Sequence, residues 1–179
     1  MHPRIEELVA YLGNQRGVLR AAVDSVAPDA RERPPAHGGW SVANILEHLS
    51  VVEHRIARLL SSTIAVAKTE GLAPETSVDP LLPALAAERA FDRSEKLVAP
   101  EALNPTGLSA AAAWDALEKA GAEVHHAVLT GDGLALGTLT HPHPIFGPIT
   151  VYEWIAFVGA HEGRHANQIM RIAASASRT

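Results

Sequence analysis

The sequence of 179 residues contains no cysteine. Disulfide bonds are therefore excluded, and any metal ion must be held by nitrogen or oxygen atoms rather than by thiolates. The lack of cysteine favours a cytoplasmic protein. The chain also lacks the run of about 18 apolar residues that a membrane-spanning helix needs, and residues 1–11 lack the apolar core of a signal peptide. We therefore expect no membrane association.

Aromatic residues are scarce at 4%, although 47% of the residues are hydrophobic and alanine is abundant. Sandwiches and barrels draw on aromatic and β-branched residues, whereas small residues suit closely packed helices. The formal net charge of −5 argues against nucleic-acid binding, which requires a surface that neutralises phosphates. Since the length suits one domain, the composition predicts a single all-α domain over residues 1–179.

Hydrophobic periodicity predicts four principal helices, separated by joints rich in proline and glycine. They cover approximately residues 5–26, 41–59, 109–129 and 150–172. An antiparallel four-helix bundle is the default architecture for such helices. An extra short helix is predicted from Asp79 to about Leu97. Residues 131–148 are too rich in glycine and proline for a helix and are predicted to form a long loop before the last helix. Residues 173–179 are predicted to fray.

Two helices begin with recognisable capping residues. Ser41 is a good N-cap, and the flanking Trp40 and Ile45 have the spacing of a hydrophobic staple. Thr150 and Glu153 have the spacing of a capping box. These signals place the starts of the helices that carry the most informative histidines.

Three histidines lie on the apolar faces of these two helices. His161 and His165 are four residues apart, so their rings point about 40° apart around the axis and lie one turn apart along it. His48 lies on the inward face of the other helix. One histidine on an apolar face is more often a hydrogen-bonded core residue, but two adjacent buried imidazoles compete for scarce partners. Three neutral imidazoles predict a divalent metal site with an open position, suited to Zn²⁺, Ni²⁺ or Fe²⁺.

The pair also completes the pattern H-E-x-x-H over residues 161–165. In zinc proteases this pattern supplies two metal ligands and a glutamate base, so Glu162 is the candidate catalytic base. The alternative is a solvated or salt-bridged glutamate, with Arg164 nearby. No further ligand motif of the protease type follows His165.

The remaining histidines are weaker candidates. His54 is predicted to lie on the surface. His125 and His126 are adjacent on a helix, so at most one of them faces inward. His141 and His143, in the loop before the last helix, either cap the mouth of the site or belong to a surface turn. A fourth protein ligand from any of the last four would close the metal site.

Two parts of the sequence resemble the DinB-like family, also called YfiT-type. The first part comprises residues 40–49, Trp40-Ser41-Val42-Ala43-Asn44-Ile45-Leu46-Glu47-His48-Leu49, followed by Glu53. The second comprises residues 143–148, the pair Glu153-Trp154, and residues 161–169. The order and separation of these parts also agree with the family.

This resemblance implies a four-helix bundle with a three-histidine metal site, and often a homodimer. The ligand positions of the family correspond to His48, His161 and His165. Some members of the family transfer low-molecular-weight thiols, such as bacillithiol, mycothiol or glutathione, and others are described as hydrolases.

Three functions are consistent with these features. The first is a metal-dependent thiol S-transferase, in which the metal presents a thiolate to a small electrophile and Glu162 or a loop histidine assists proton transfer. The second is a metal-dependent hydrolase that activates water, with Glu162 as the base. The third is a non-catalytic metal-binding protein of the stress response.

Overall fold

Four long helices dominate the computed structural model, which describes residues 1–35, 38–83 and 103–176. The helices are α1 (Pro3–Asp24), α2 (Val42–Thr69), α3 (Ala110–Thr130) and α4 (Val151–Ala176). Two 3-10 turns and a β-hairpin accompany them: Pro28–Ala30, Leu136–Thr138, β1 (Thr140–His143) and β2 (Gly147–Thr150). The all-α, four-helix fold class is confirmed. No helix within the described ranges has the length and apolarity to cross a membrane.

Two predicted boundaries need comment. The extra helix expected from Asp79 to Leu97 lies mostly outside the described residues, and its described beginning, 79–83, forms bends and turns. The predicted fraying from residue 173 is wrong as far as Ala176, where α4 ends. The helix continues because Ile172 and Ala173 still pack against the hydrophobic core.

Helices α1 and α4 run in the same direction. Tyr11 of α1 faces Gly159 of α4, and one turn later Gln15 faces Gly163. Both helices are antiparallel to α2, because the first half of α1 shares its hydrophobic core with the second half of α2.

Helices α2 and α3 also run in the same direction, which corrects the expected antiparallel arrangement. His54 of α2 pairs with Glu123 of α3, and further along both helices Lys68 donates to the carbonyl of Thr130. The bundle therefore runs up, down, down, up. Residues 70–109 separate α2 from α3, and a connection of this length can return to the end at which α2 begins.

The hydrophobic core consists of two clusters along the bundle axis. One contains the N-terminal parts of α1 and α4, together with residues 56–64 of α2. The other contains residues 19–23 of α1 and Val26 just after it, residues 42–49 of α2, residues 113–117 of α3, and Ala166 and Ile169 of α4. The sequence intervals between these clusters contain half-buried Arg16 of α1, Glu53 of α2, and His161, Glu162 and His165 of α4, while His48 lies at the edge of the second cluster. Most of the candidate functional residues therefore lie in the middle of the bundle.

The segment before α4 is more regular than the predicted loop. Strands β1 and β2 pair antiparallel, with Thr140 opposite Thr150 and His143 opposite Gly147. Gly147 has φ of 73°, a conformation that glycine adopts without strain in short hairpin connections. The prolines obscure the strand pattern in the sequence, but an edge pair of strands tolerates residues that cannot donate a hydrogen bond.

The close approach of α1 to α4 predicts opposite effects for two glycine-to-alanine substitutions. A Cβ atom at Gly159 would lie 2.6 Å from Tyr11 Cε1, whereas nothing lies within 4 Å of one at Gly13 in α1. We expect Gly159→Ala to lower the free energy of unfolding by about 1–3 kcal/mol through overpacking. The control Gly13→Ala should raise it by about 0.5–1 kcal/mol through helix propensity. Urea denaturation measures both, and equal effects would contradict the proposed close contact.

Candidate metal centre

Capping residues fix the starts of the two helices that carry the histidines. Ser41 Oγ accepts the N–H of Asn44 at 3.2 Å, and Asn44 Oδ1 accepts the N–H of Ser41 at 3.2 Å. At α4, Glu153 Oε2 accepts the N–H of Thr150 at 2.6 Å, and Thr150 Oγ1 accepts the N–H of Glu153 at 3.2 Å. Both predicted helix starts are confirmed, and each satisfies backbone donors that the helix itself leaves free.

The structure brings His48, His161 and His165 together across the interface between α2 and α4. One ring nitrogen of each residue lies within 4.8 Å of those of the other two. The Nε2 atoms of His161 and His165 are 3.1 Å apart. His48 and His165 are only 5% and 8% exposed, and His161 is half-buried. This geometry can hold one metal ion among three imidazole nitrogens.

Hydrogen bonds orient two of the three rings for metal binding. Leu103 O lies 3.0 Å from His48 Nδ1, and a carbonyl oxygen can only accept, so this Nδ1 carries the proton. Gln168 Oε1 holds His165 Nδ1 in the same way at 2.9 Å. In each neutral ring the Nε2 lone pair is then left for a metal. His165 Nε2 lies 3.1 Å from His161 Nε2, so without a metal the His161 ring can donate an N–H to it.

All three imidazoles are held in the neutral form. Burial lowers the His48 pKa below its ordinary value. Burial and the neighbouring His165 and His48 lower the His161 pKa well below that value, and burial together with His48 lowers the His165 pKa to about 3. Because only the neutral ring is a metal ligand, protons compete weakly with a metal here. The donor set, its orientation and its protonation therefore fit a divalent metal ion.

The other candidate histidines remain outside this cluster. His125 and His126 are both exposed, and the exposed His54 pairs with Glu123 at 2.6 Å. His141 is half-exposed, and His143 is buried but does not join the three ligands. Throughout residues 1–35, 38–83 and 103–176, no further histidine or carboxylate completes the coordination. The part of the protein described here thus leaves a coordination position open.

Glu162 is buried and makes an ion pair. Its Oε1 accepts from Arg16 Nε at 3.0 Å and from Arg16 Nη2 at 2.7 Å. The partner comes from α1 and is not Arg164, the neighbour considered from the sequence. The role of Glu162 as a general base stays a prediction, since a base must first release this guanidinium.

Arg16 also binds a second buried carboxylate. Its Nη2 donates to Glu53 Oε2 at 2.7 Å. Burial alone would lower the Arg16 pKa, but the charges of Glu53 and Glu162 overcome that effect and raise it. The Arg16 side chain fits because Gly121 has no Cβ atom. A Cβ atom at this position would lie only 2.8 Å from Arg16 Nη2.

Arg16 leaves one buried oxygen of each glutamate without a hydrogen-bond partner, Glu53 Oε1 and Glu162 Oε2. Burial and the charge of Glu162 raise the Glu53 pKa well above its ordinary value, against the opposing effect of Arg16. A proton on Glu53 that is donated to Glu162 would satisfy both oxygens at once.

The sequence contains a signal for this cluster. Arg16 lies four residues after Leu12 and three before Leu19, on the inward face of α1. Glu53 likewise lies four residues after Leu49 and three before Ile56, on the inward face of α2. Opposite charges at core positions of two helices indicate a buried ion pair.

Glu47 is a third buried carboxylate, and the helical pattern does not reveal it. It accepts hydrogen bonds from Thr106 N and Oγ1, Gly107 N and Leu108 N at 2.6–3.0 Å. Burial alone would raise the Glu47 pKa, but these donors lower it. The contacts fix residues 106–108 beside α2, close in sequence to Leu103, which orients His48.

Comparison with known proteins agrees with this geometry. The model of the DinB superfamily matches residues 11–169. The chain therefore belongs to the DinB superfamily, whose members often bind metal. The uncharacterized protein YuaE of Bacillus subtilis (strain 168) is 30% identical over 149 residues, which cover 77% of this chain and 80% of that protein. No solved structure matches the chain.

Removal of His48 tests whether the metal is bound across two helices. We expect His48→Ala to weaken metal binding at least about 100-fold, because even partners that only orient ligands contribute 10–100-fold. Metal analysis of protein purified without added metal measures this, with circular dichroism as the check of folding. His54→Ala, an exposed histidine of the same helix, is the control and should retain the metal. Equal metal content in both variants would contradict the site.

The shared proton predicts a specific pH dependence of stability. The folded state raises the Glu53 pKa above 4.5, so the folded protein binds more protons than the unfolded chain and loses stability as pH rises through the raised pKa. Glu53→Gln keeps an acceptor for Arg16, supplies a permanent donor to Glu162, and does not titrate. We expect the unfolding free energy of wild type to fall relative to this variant by up to about 1.4 kcal/mol per pH unit. Urea denaturation at several pH values above 4.5 measures the difference, and a constant difference would refute the shared proton.

Proposed function

We propose that the protein is a metal-dependent S-transferase that joins a low-molecular-weight thiol to a small electrophile. One observation carries the proposal: three neutral imidazoles converge, and no fourth ligand comes from the described residues. A bound divalent metal would lower the pKa of a thiol at the open position and hold it as a thiolate. The chain has no cysteine, so the nucleophile must come from the cosubstrate.

Aromatic rings beside the histidines support a site from which water is partly excluded. The Trp40 ring lies 4.8 Å from the His48 ring, and Phe157 stacks on His161 at 5.2 Å with an angle of 14° between the planes. Apolar walls strengthen the electrostatic interactions of an anionic nucleophile with nearby cations. The chain concentrates some of its few aromatic residues at this site.

The ion pair between Glu162 and Arg16 favours thiol transfer over hydrolysis as the reaction. Hydrolysis through H-E-x-x-H requires this carboxylate as a base, whereas its Oε1 is held by Arg16 and its Oε2 faces Glu53. Thiol transfer has no such requirement. A coordination sphere filled by protein groups would favour a non-catalytic metal-binding role in the stress response. We further propose that the metal is Zn²⁺, Ni²⁺ or Fe²⁺, and that the protein is a cytoplasmic homodimer.

Activity assays on two variants distinguish transfer from hydrolysis. Metal-loaded protein is incubated with bacillithiol, mycothiol or glutathione and a panel of aryl chlorides, epoxides and unsaturated ketones, and loss of free thiol is measured. We expect His48→Ala to abolish transfer, His54→Ala to retain it, and Glu162→Gln to change it less than about tenfold. Loss of a general base would instead reduce hydrolysis about 10²–10⁴-fold. Inertness toward every thiol and electrophile in the panel would refute the transferase proposal.

A further inference from the structure

His143 is held at the hairpin next to the metal centre in a defined tautomer. Its side chain is 6% exposed. Its Nδ1 accepts the backbone N–H groups of Ile145 and Phe146 at 3.1 and 3.3 Å. A nitrogen that accepts two N–H groups cannot carry a proton, so in the neutral ring the proton is on Nε2. Burial lowers the His143 pKa, which keeps the ring neutral.

The donor at Nε2 has no partner among the described residues. Every hydrogen bond of His143 to these residues is made by Nδ1. The Nε2 atom is also absent from the fully buried polar atoms that lack a partner, so it is not fully enclosed. A buried ring that is held through Nδ1 and has an N–H without a partner is a preformed hydrogen-bond donor.

This donor lies beside the three ligands without belonging to them. His143 and His161 both contact the ring of Phe157, at 4.8 and 5.2 Å. His143 is close enough to influence the charge of His161, yet it does not join the metal cluster. Its ring stacks on Phe146 at 4.5 Å and lies 4.8 Å from Trp154. The ring that carries the donor is therefore packed among flat apolar side chains.

We propose that His143 Nε2–H binds an acceptor oxygen of the substrate, and that this substrate has a flat apolar body ending in a carboxylate or carbonyl group. The flat body contacts the aromatic rings around His143, and the oxygen receives the hydrogen bond. This inference rests on the proposed function in one respect: the other end of the molecule or its thiol partner occupies the metal centre. His143 is thus a binding residue that selects the substrate class.

The tautomer is tested first, by proton–nitrogen correlation spectra of the histidine rings in the metal-free and zinc-loaded protein. The His143 signals are assigned from their loss in His143→Asn. We expect a protonated Nε2 and an unprotonated Nδ1 in both forms. A proton on Nδ1 would overturn the inference.

Binding is tested with two probes that differ by one carboxylate. Titration calorimetry compares 4-mercaptobenzoate with thiophenol on zinc-loaded protein, because both present a thiol and a flat ring. We expect wild type to bind 4-mercaptobenzoate about tenfold more tightly, the effect of a hydrogen bond to a charged group. His143→Asn keeps an oxygen for the turn amides and removes Nε2–H, so the preference should vanish. His141→Asn, the same change in the same strand, should preserve it.

The two proposals fail in different ways. If both thiols bind equally, or if His143→Asn retains the preference, the role of His143 is wrong while the metal-bound thiol stands. If neither thiol binds, the metal centre does not accept an aromatic thiol, the panel of cellular thiols decides the transferase proposal, and benzoate decides the role of His143. A benzoate-induced shift of the His143 Nε2–H signal supports that role, and the lack of a shift overturns it.

Discussion

The ion cluster centred on Arg16 is the interaction on which the arrangement of this bundle depends. From α1 the guanidinium binds Glu53 on α2, Glu162 on α4, and the carbonyl of Leu117 on α3. Four helices thus meet at one side chain. Removing a single partner from a buried ion pair costs about 3–5 kcal/mol, because the remaining charge stays buried without compensation. The cluster occupies the sequence intervals between the two hydrophobic clusters, so it also sets how the helices align along the bundle axis.

The same layer of the bundle holds the three candidate metal ligands, which links stability to the candidate chemistry. Glu162 lies between His161 and His165 on α4, and Glu53 lies five residues after His48 on α2. A contact that aligns these two carboxylates therefore also aligns the three imidazoles. In this bundle the two histidines of the H-E-x-x-H pattern belong to the candidate metal site, whereas its glutamate pairs with Arg16 and has a structural contact.

The hairpin is bonded to the helix that carries two of the candidate ligands. Trp154 Nε1 donates to the carbonyl of His141 at 3.2 Å, which ties β1 to α4. The amides of the hairpin turn hold the ring of His143 by its Nδ1 atom. Backbone hydrogen bonds of a short hairpin thereby determine which nitrogen of a buried imidazole carries the proton.

The sequence by itself determined the helices, their capping residues and the three histidines, because these depend on local periodicity and short spacings. It also predicted the fold class through the family resemblance. Only the tertiary structure decided that α2 and α3 are parallel, that residues 140–150 form a hairpin, and that Arg16 pairs with both glutamates. The helix directions and the partners of Arg16 depend on residues far apart in the chain, whereas the hairpin is local and its strand pattern is obscured by prolines. Glu162 illustrates the contrast between sequence and structure. Its spacing from the two histidines predicted a general base, whereas the tertiary structure pairs it with Arg16, which is distant in the sequence.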